Sequence, residues 1–552
     1  DVLHVTLLEK LLVPLLAKLG GLVPGGGIWL NTQRPEWNDA NNALAGYGLS
    51  VVTTCHLRRY VSFLLELLRP LAGQSVPISA EVVDWLNATG AVLLRHSDLL
   101  RLPRIDDRQR RRVVDDLGEC FAAYRCRVYA AGLSTTVNCQ ITEILPTLRL
   151  AISYLDYSIR TNRRPDDGLY HSYNLLRLDT DGSGCAIAMI RPLYLMLEGQ
   201  VAALSSGIVS AEEAVELLEA MFASALWRQD QQSFMLYPQR ELPSFLQINR
   251  IAANEARAIP LLRAMLDAGD RTLVAADVSG CVHFNADFRN ARDLAAALDQ
   301  LDHDPRWREL AQQSRQAVLD LLERTFDHHA FTGRSGVMYA YEGIGSIYWH
   351  MVGKLLVAVQ ECFWRAAAED ESAAATAALR ALYYRIRAGM GFGKTAARFG
   401  AFPTDPCSHT PADGGARQPG MTGQVKEQIL TRLGELGVRV EAGCLRFRPL
   451  LLRRKEFFPT PTTFHYLTCD GTARTIDLPA HSLAFTCCQT PVSYHLVPDA
   501  GPTRISIVRR DGSLSECAGD TLDAASSQSL FHRDMQIERI QVLIPRQKIA
   551  PD

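Results

Sequence analysis

The stretch Val51-Val52-Thr53-Thr54-Cys55-His56-Leu57-Arg58-Arg59-Tyr60-Val61-Ser62-Phe63-Leu64-Leu65-Glu66-Leu67-Leu68 decides the fold class. Its apolar residues recur at spacings of three and four, Arg58 and Arg59 fall to one side, and Pro70 stops it. That spacing predicts an amphipathic helix. The same pattern returns at 108–131, 211–225, 292–301, 306–324, 347–368, 373–388 and 425–436, and an apolar start with interspersed Glu9, Lys10 and Lys18 reads as a helix over 2–22. Roughly ten helices follow from these periods, many of them in pairs. The loops at 31–48, 163–173, 332–345 and 401–423 are rich in Gly, Pro, Asn, Asp and aromatic residues. Such long loops in a compact protein usually carry function. Paired helices with chemistry on their loops fit a mainly α fold of the (α/α)6-barrel type.

The pattern changes near Leu436. Short apolar or alternating runs at 438–440, 444–447, 463–469, 475–478, 482–486, 492–496 and 504–509 are parted by turns such as Cys469-Asp470-Gly471 and Arg510-Asp511-Gly512. These predict a small C-terminal antiparallel β domain, of sandwich type, over 436–552. Residues 1–435 form the helical catalytic body in this reading. No internal repeat or low-complexity tract interrupts it.

The 552 residues, 47% hydrophobic and 21% charged, suit a soluble globular protein. A formal net charge of −2 favours neither nucleic acid nor an anionic membrane as partner. The chain contains no apolar run long enough to predict a spanning helix. It begins with Asp1 rather than methionine, so upstream sequence is expected. Thirteen cysteines without a CxxC pair read as buried thiols in a reducing compartment, which points to the cytoplasm. The fourteen histidines show neither HxH nor HxxxH, so no metal site is expected.

Arg34-Pro35-Glu36-Trp37-Asn38-Asp39 sets two carboxylates around a tryptophan just before a helical pattern. An acid beside an aromatic platform is what a glycosidic oxygen and a sugar ring require, because a positioned general acid gives roughly 10²–10⁴-fold. A helix start capped by Asn38 or Asp39 accounts for the same residues. Further on, the run 332–350 gathers Arg334, Tyr341, Glu342, Gly343, Gly345, Trp349 and His350 and leads into a helix. Its glycines let backbone amides approach an anion or a sugar, and Arg334 and His350 can hold a phosphate. An aromatic packing loop is the alternative. The loop 402–424 contains Asp405 and ends at Thr422-Gly423, where helix amides and a hydroxyl can bind an oxyanion, or where Thr422 is a plain N-cap. The runs 166–173 and 198–200 add carboxylates and tyrosines that can extend a cleft or form an ordinary turn.

Taken in order, these loops resemble glycoside hydrolase family 94, the cellobiose and chitobiose phosphorylase group. Glu36-Trp37-Asn38-Asp39 is similar to the family's D-W-N-D motif, Gly345-Ser-Ile-Tyr-Trp-His350 to its approach to a phosphate-contacting histidine, and Met421-Thr422-Gly423-Gln424 with Leu436-Gly437 to its T-G-S-A loop and leucine-glycine turn. The resemblance covers roughly 25–75 and 330–460. It implies a six-hairpin barrel in which Asp39, rather than Glu36, is the proton donor, with Glu36 kept as a further catalytic candidate. Trp37, Asn38, Arg334, Tyr341, Glu342, Trp349 and Asp405 would line the sugar site, and His350, Thr422 and Gly423 would bind phosphate. The chain departs from the family at Glu36, Glu342 and Gln424. The stretch 100–330 reads as a helical insertion or extension, and the family's N-terminal β-sandwich is not seen.

The implied reaction is inverting phosphorolysis of a β-linked glucoside to a sugar 1-phosphate. Inorganic phosphate is the co-substrate and no cofactor is needed. The implied partners are a disaccharide or oligosaccharide and a second copy of the chain. An inverting hydrolase or transglycosylase on the same barrel would instead need a second carboxylate about 6.5–9.5 Å from the acid, and Glu342, Glu198 and Asp405 are its candidates. A non-catalytic sugar-binding barrel is the third reading.

Overall fold

A computed structural model describes residues 3–32, 39–241, 243–330, 344–371, 373–419, 422–498 and 501–549, with backbone alone at 39, 41, 422 and 423. The chain forms two compact units, 1–419 and 420–552. The helix Thr422–Glu435 thus counts with the C-terminal unit.

In the first unit, Val51–Leu68 is helical as its period predicts. Ser50 caps it, its Oγ accepting from the Thr53 amide at 2.9 Å. Val51, Cys55, Leu57, Val61, Leu64 and Leu68 form its buried stripe. This helix packs against Ile141–Thr161 and Leu197–Ser205, and Leu197–Ser205 packs in turn against Trp349–Glu369. Ala211–Ala223 and Ala374–Ala388 pack against Trp349–Glu369 and against each other. Leu197–Ser205 and Trp349–Glu369 are buried on nearly all sides, whereas Ala211–Ala223 and Ala374–Ala388 bury one stripe. The first pair is therefore an inner layer and the second an outer one.

Two excursions leave this helical body. Strands Ser75–Ser79 and Thr136–Gln140 pair antiparallel and close a neck around the helices Ala80–Arg95 and Asp107–Ala131. Trp85 stacks on Phe121 and Tyr124 between those helices, and their core is shared with Leu7–Leu19, Val51–Leu68 and Ile141–Thr161. The second excursion has a core of its own, running from Ile251 and Leu261 through Phe284 and Leu298 to Val318 and Phe326. Its ends leave and return side by side: Tyr237 and Ile344 form a parallel bridge, and the Gly345 amide donates to the Tyr237 carbonyl at 3.2 Å. The stretch 100–330 is thereby divided. Ile141–Thr161, Leu197–Ser205 and Ala211–Ala223 belong to the packed body, and the segment after Tyr237 stands on a separate core.

Strands are not confined to the C-terminal end. A five-stranded antiparallel sheet runs in the order Leu22–Val23, Gly27–Trp29, Gly48–Ser50, Tyr173–Thr180, Ala186–Pro192. Three of its members span two or three residues, too few to display a period.

The C-terminal unit holds the hairpins Val438–Glu441/Cys444–Phe447 and Thr462–Leu467/Ala473–Leu478, and a five-stranded sheet ordered Ser482–Cys487, Thr490–Val497, Ile537–Pro545, Arg504–Arg509, Leu514–Ala518. The expectation of a purely antiparallel domain is corrected here. Thr490–Val497 pairs parallel with Ile537–Pro545, and a parallel pair needs a long crossover, which includes the helix Ala524–His532. Gly437 turns the chain from helix to sheet with φ +69°, and a Cβ there would lie 2.1 Å from the Arg448 carbonyl carbon. Only glycine fits that turn. Among the described residues no helix is long and apolar enough to cross a membrane.

Candidate functional site

The candidate site lies where the first turns of Val51–Leu68, Leu197–Ser205 and Trp349–Glu369 are tied together by hydrogen bonds. The Val51 amide donates to the Ser172 carbonyl at 3.0 Å, and the Gly199 amide to the Ser172 Oγ at 2.8 Å. Ser172 therefore joins the starts of Val51–Leu68 and Leu197–Ser205. The Leu197 amide donates to the Leu236 carbonyl at 3.0 Å, and the Leu236 amide to the Ser346 carbonyl at 2.9 Å, three residues before Trp349–Glu369 begins. Three helix N-termini thus share one hydrogen-bonded frame. Each carries partial positive charge.

Of the residues singled out in the sequence, Glu198 and His350 stand in the first turns of two of these helices, and Asp39 precedes the third along the chain. Asp39 opens the short helix Asp39–Ala43, which precedes the strand Gly48–Ser50 and the Val51 N-terminus. Glu198 is the second residue of Leu197–Ser205, and its Oε2 accepts from the Tyr173 hydroxyl at 2.8 Å. Burial, with the Glu198 charge beside it, pushes the Tyr173 phenol well up. His350 is the second residue of Trp349–Glu369, and its Nδ1 lies 3.2 Å from the Tyr348 hydroxyl.

Behind His350 stand the strand Cys407–Thr410 and the Trp349 ring. Ile347–Tyr348 pairs with Cys407–Thr410, so Tyr348 faces His409 in register and the two rings stack at 4.8 Å. The His409 Nδ1 lies 2.9 Å from the Ser408 Oγ, which donates to the Gln418 Oε1 at 2.8 Å. Trp349 is fully buried. Its Nε1 donates to the Thr410 Oγ1 at 2.8 Å, and its ring meets Phe399 and the Lys394 ammonium, the latter at 4.7 Å. Trp349 therefore sits in the core behind His350. Burial lowers the Lys394 ammonium to about 8, helped by Arg398 and Arg228. Arg228 donates to the carbonyls of Thr410, Pro411 and Ala412 and pairs with Asp230 at 2.9 Å, fixing the turn that follows the strand.

Gly345 has φ +68°, and a Cβ would fall 1.7 Å from the Gln239 Oε1. Here the glycine serves close approach of the two excursion ends. The end of the second excursion returns to the same region. Asp327 takes both Arg191 nitrogens at 2.6 and 3.1 Å, the Tyr194 hydroxyl donates to the Ala330 carbonyl at 2.9 Å, and the His329 ring lies against Tyr47. The Arg240 guanidinium covers the Tyr194 ring at 3.9 Å.

The remaining expected site residues fall as follows. Glu36, Trp37, Asn38, Arg334, Tyr341 and Glu342 lie outside the described residues. Asp405 is exposed in the turn before Cys407–Thr410. Thr422 and Gly423 begin the helix of the C-terminal unit. Ser172, Tyr173, Tyr348 and His409 fall in runs singled out in the sequence, but that Ser172 ties two helix starts together and that Tyr348 stacks on His409 was not legible there, and Lys394 was not singled out. Most of these are joined by strand pairing or backbone bonds between distant segments.

Residues 242–329 match the family model of the GH149 phosphorylase insertion domain 2. The matched range is the segment with its own core between the paired ends at Tyr237 and Ile344. The match points to a glycoside phosphorylase family and supports an enzyme acting on sugars. It does not single out family 94. No curated protein matches the chain.

Proposed function

We propose that the protein is an inverting glycoside phosphorylase, in which six helix pairs close into an (α/α)6 barrel and the joined helix starts form the floor of the sugar site. The observation that carries this reading is the phosphorylase insertion module at 242–329, whose ends leave and return beside the starts of Leu197–Ser205 and Trp349–Glu369. Asp39 protonates the interglycosidic oxygen of a β-linked glucoside, with Glu36 beside it and Trp37 and Asn38 holding the ring. Phosphate attacks the anomeric carbon from the opposite face, breaking the C–O bond and releasing a sugar 1-phosphate. His350 contacts that phosphate, and the helix N-terminus favours its charge. The parts given to Arg334, Tyr341, Glu342, Asp405, Thr422 and Gly423 rest on the family 94 resemblance. No second carboxylate is needed, because phosphate is already an anionic nucleophile. Thirteen free thiols favour the cytoplasm as its place of work.

One observation favours a second reading. Glu198 is a carboxylate held by Tyr173 at the same helix starts. In an inverting hydrolase it would serve as the base that activates water.

The test is incubation of the purified protein with a panel of β-linked glucose disaccharides, with and without inorganic phosphate. Phosphorolysis yields sugar 1-phosphate only when phosphate is present. Equal release of free glucose in both arms favours the hydrolase. No turnover, together with saturable disaccharide binding, leaves a sugar-binding barrel.

A further inference from the structure

The inserted segment carries a cluster of metal-ligating side chains that the sugar chemistry does not use. Strands Val274–Ala276 and Val282–Phe284 pair antiparallel, with Ala276 opposite Val282. Asp277-Val-Ser-Gly-Cys281 forms the turn between them, and Gly280 has φ +84°. Cys281 and His283 are two residues apart and so project from the same strand face. One ligand atom each from Asp277, Cys281 and His283 lies within 4.8 Å of the other two.

The groups around these atoms already hold them as ligands are held. The His283 Nδ1 hydrogen bonds to the Asn249 carbonyl, and a carbonyl only accepts, so Nδ1 carries the hydrogen. The His283 Nε2 then faces the Asp277 Oδ2, 3.0 Å away. Two acceptors at that distance need a cation between them: a proton or a metal ion. A histidine ligand that donates its other nitrogen to a carbonyl is the usual arrangement at metal centres. Asn249 is itself buried and fixed, donating to the Phe284 carbonyl and accepting from the Phe284 amide, both at 2.8 Å. The other Asp277 oxygen is occupied by the Ser279 amide, the Ser279 hydroxyl and the Cys281 amide at 2.7–2.9 Å, which leaves Oδ2 as the ligand. The Arg250 guanidinium also reaches the Cys281 sulfur, so a bound ion shares the thiolate with it or displaces it.

We propose that Asp277, Cys281 and His283 bind one divalent ion of the zinc type, with water as the fourth ligand. A carboxylate, an imidazole and a thiolate form a mixed set that suits such an ion and is unsuited to Mg²⁺ or Ca²⁺. The ion clips the hairpin to the 249–251 segment, which already touches it through the Ile251–Val282 bridge. It stiffens the inserted module and takes no part in sugar cleavage.

The test uses the full chain, stripped with a chelator and dialysed against Zn²⁺ or Co²⁺. One equivalent of Zn²⁺ is expected, and Co²⁺ should give a sulfur-to-cobalt charge-transfer band together with tetrahedral d–d bands. Cys281→Ser should abolish the charge-transfer band. His283→Gln and Asp277→Asn should each weaken binding by more than about tenfold. Asp277→Asn keeps an Oδ1 acceptor for the turn, and circular dichroism checks that each variant is folded. Absence of binding at micromolar metal overturns the proposal. So does a cobalt spectrum unchanged in Cys281→Ser, which would assign the ion to other cysteines. Either result leaves the phosphorylase reading untouched, since turnover is not the readout.

Discussion

The His329 ring lies 4.1 Å, centroid to centroid, from the ring of Tyr47. His329 ends the inserted module, and Tyr47 lies between the Asp39–Ala43 helix and the helix Val51–Leu68. Burial, with the Glu323 carboxylate adding to it, pushes the Tyr47 phenol up to about 12, so Tyr47 stays a neutral donor to the Ala43 carbonyl. The module thereby braces the backbone that carries the proposed acid.

Loss of that brace should loosen the site more than it unfolds the protein. His329→Ala should speed amide hydrogen exchange over 39–48 while exchange in Val51–Leu68 stays slow. Asp327→Ala removes an ion pair whose side chains are 56% and 51% exposed, so it should cost at most about 1 kcal/mol of global stability. Unchanged exchange over 39–48 in both variants would contradict the bracing role.

Trp349→Phe should cost about 1–3 kcal/mol in urea unfolding, because Trp349 and Thr410 are both fully buried and the Thr410 Oγ1 loses its donor. The loss should fall on the strand pairing of Ile347–Tyr348 with Cys407–Thr410, so the Tyr348–His409 stack should loosen too. A neutral effect would mean that the hydrogen bond does not hold this wall.

Lys394 predicts a pH dependence. Its ammonium is lowered from 10.5 to about 8 by burial and by Arg398 and Arg228. Between those values the unfolded chain holds a proton that the folded chain has released, so this group makes stability rise with pH across the window from 8 to 10.5. Lys394→Met should flatten the rise in Tm over that window relative to the parent protein. Parallel curves for the two proteins would refute the shift.

The long amphipathic helices could be read directly. Val51–Leu68 begins and ends where its period and Pro70 place it, and the predicted 211–225 and 373–388 correspond to Ala211–Ala223 and Ala374–Ala388. Leu197–Ser205 escaped because it is short and apolar all round, which removes the period. Ile141–Thr161 escaped behind Pro146, which sits inside the helix. Leu514–Ala518 and the helix Ala524–His532 were not read either, and with them went the crossover that makes one strand pair parallel. His350 was singled out in the sequence because its glycine-rich approach is local. The stack of Tyr348 on His409 could not be read, because only strand pairing brings the two rings together. Asp277, Cys281 and His283 are close along the chain, but the HxH, HxxxH and CxxC spacings sought in the sequence do not cover this mixed set.

The most direct measurement is phosphorus NMR of the intact protein and of Asp39→Asn, each incubated with a cleaved β-linked glucose disaccharide and inorganic phosphate. The account predicts a sugar 1-phosphate resonance that grows with the intact protein and is about 10²–10⁴-fold slower to appear with the folded variant. Equal rates in the two proteins would remove Asp39 as the proton donor, and glucose release without any phosphate ester would contradict phosphorolysis itself.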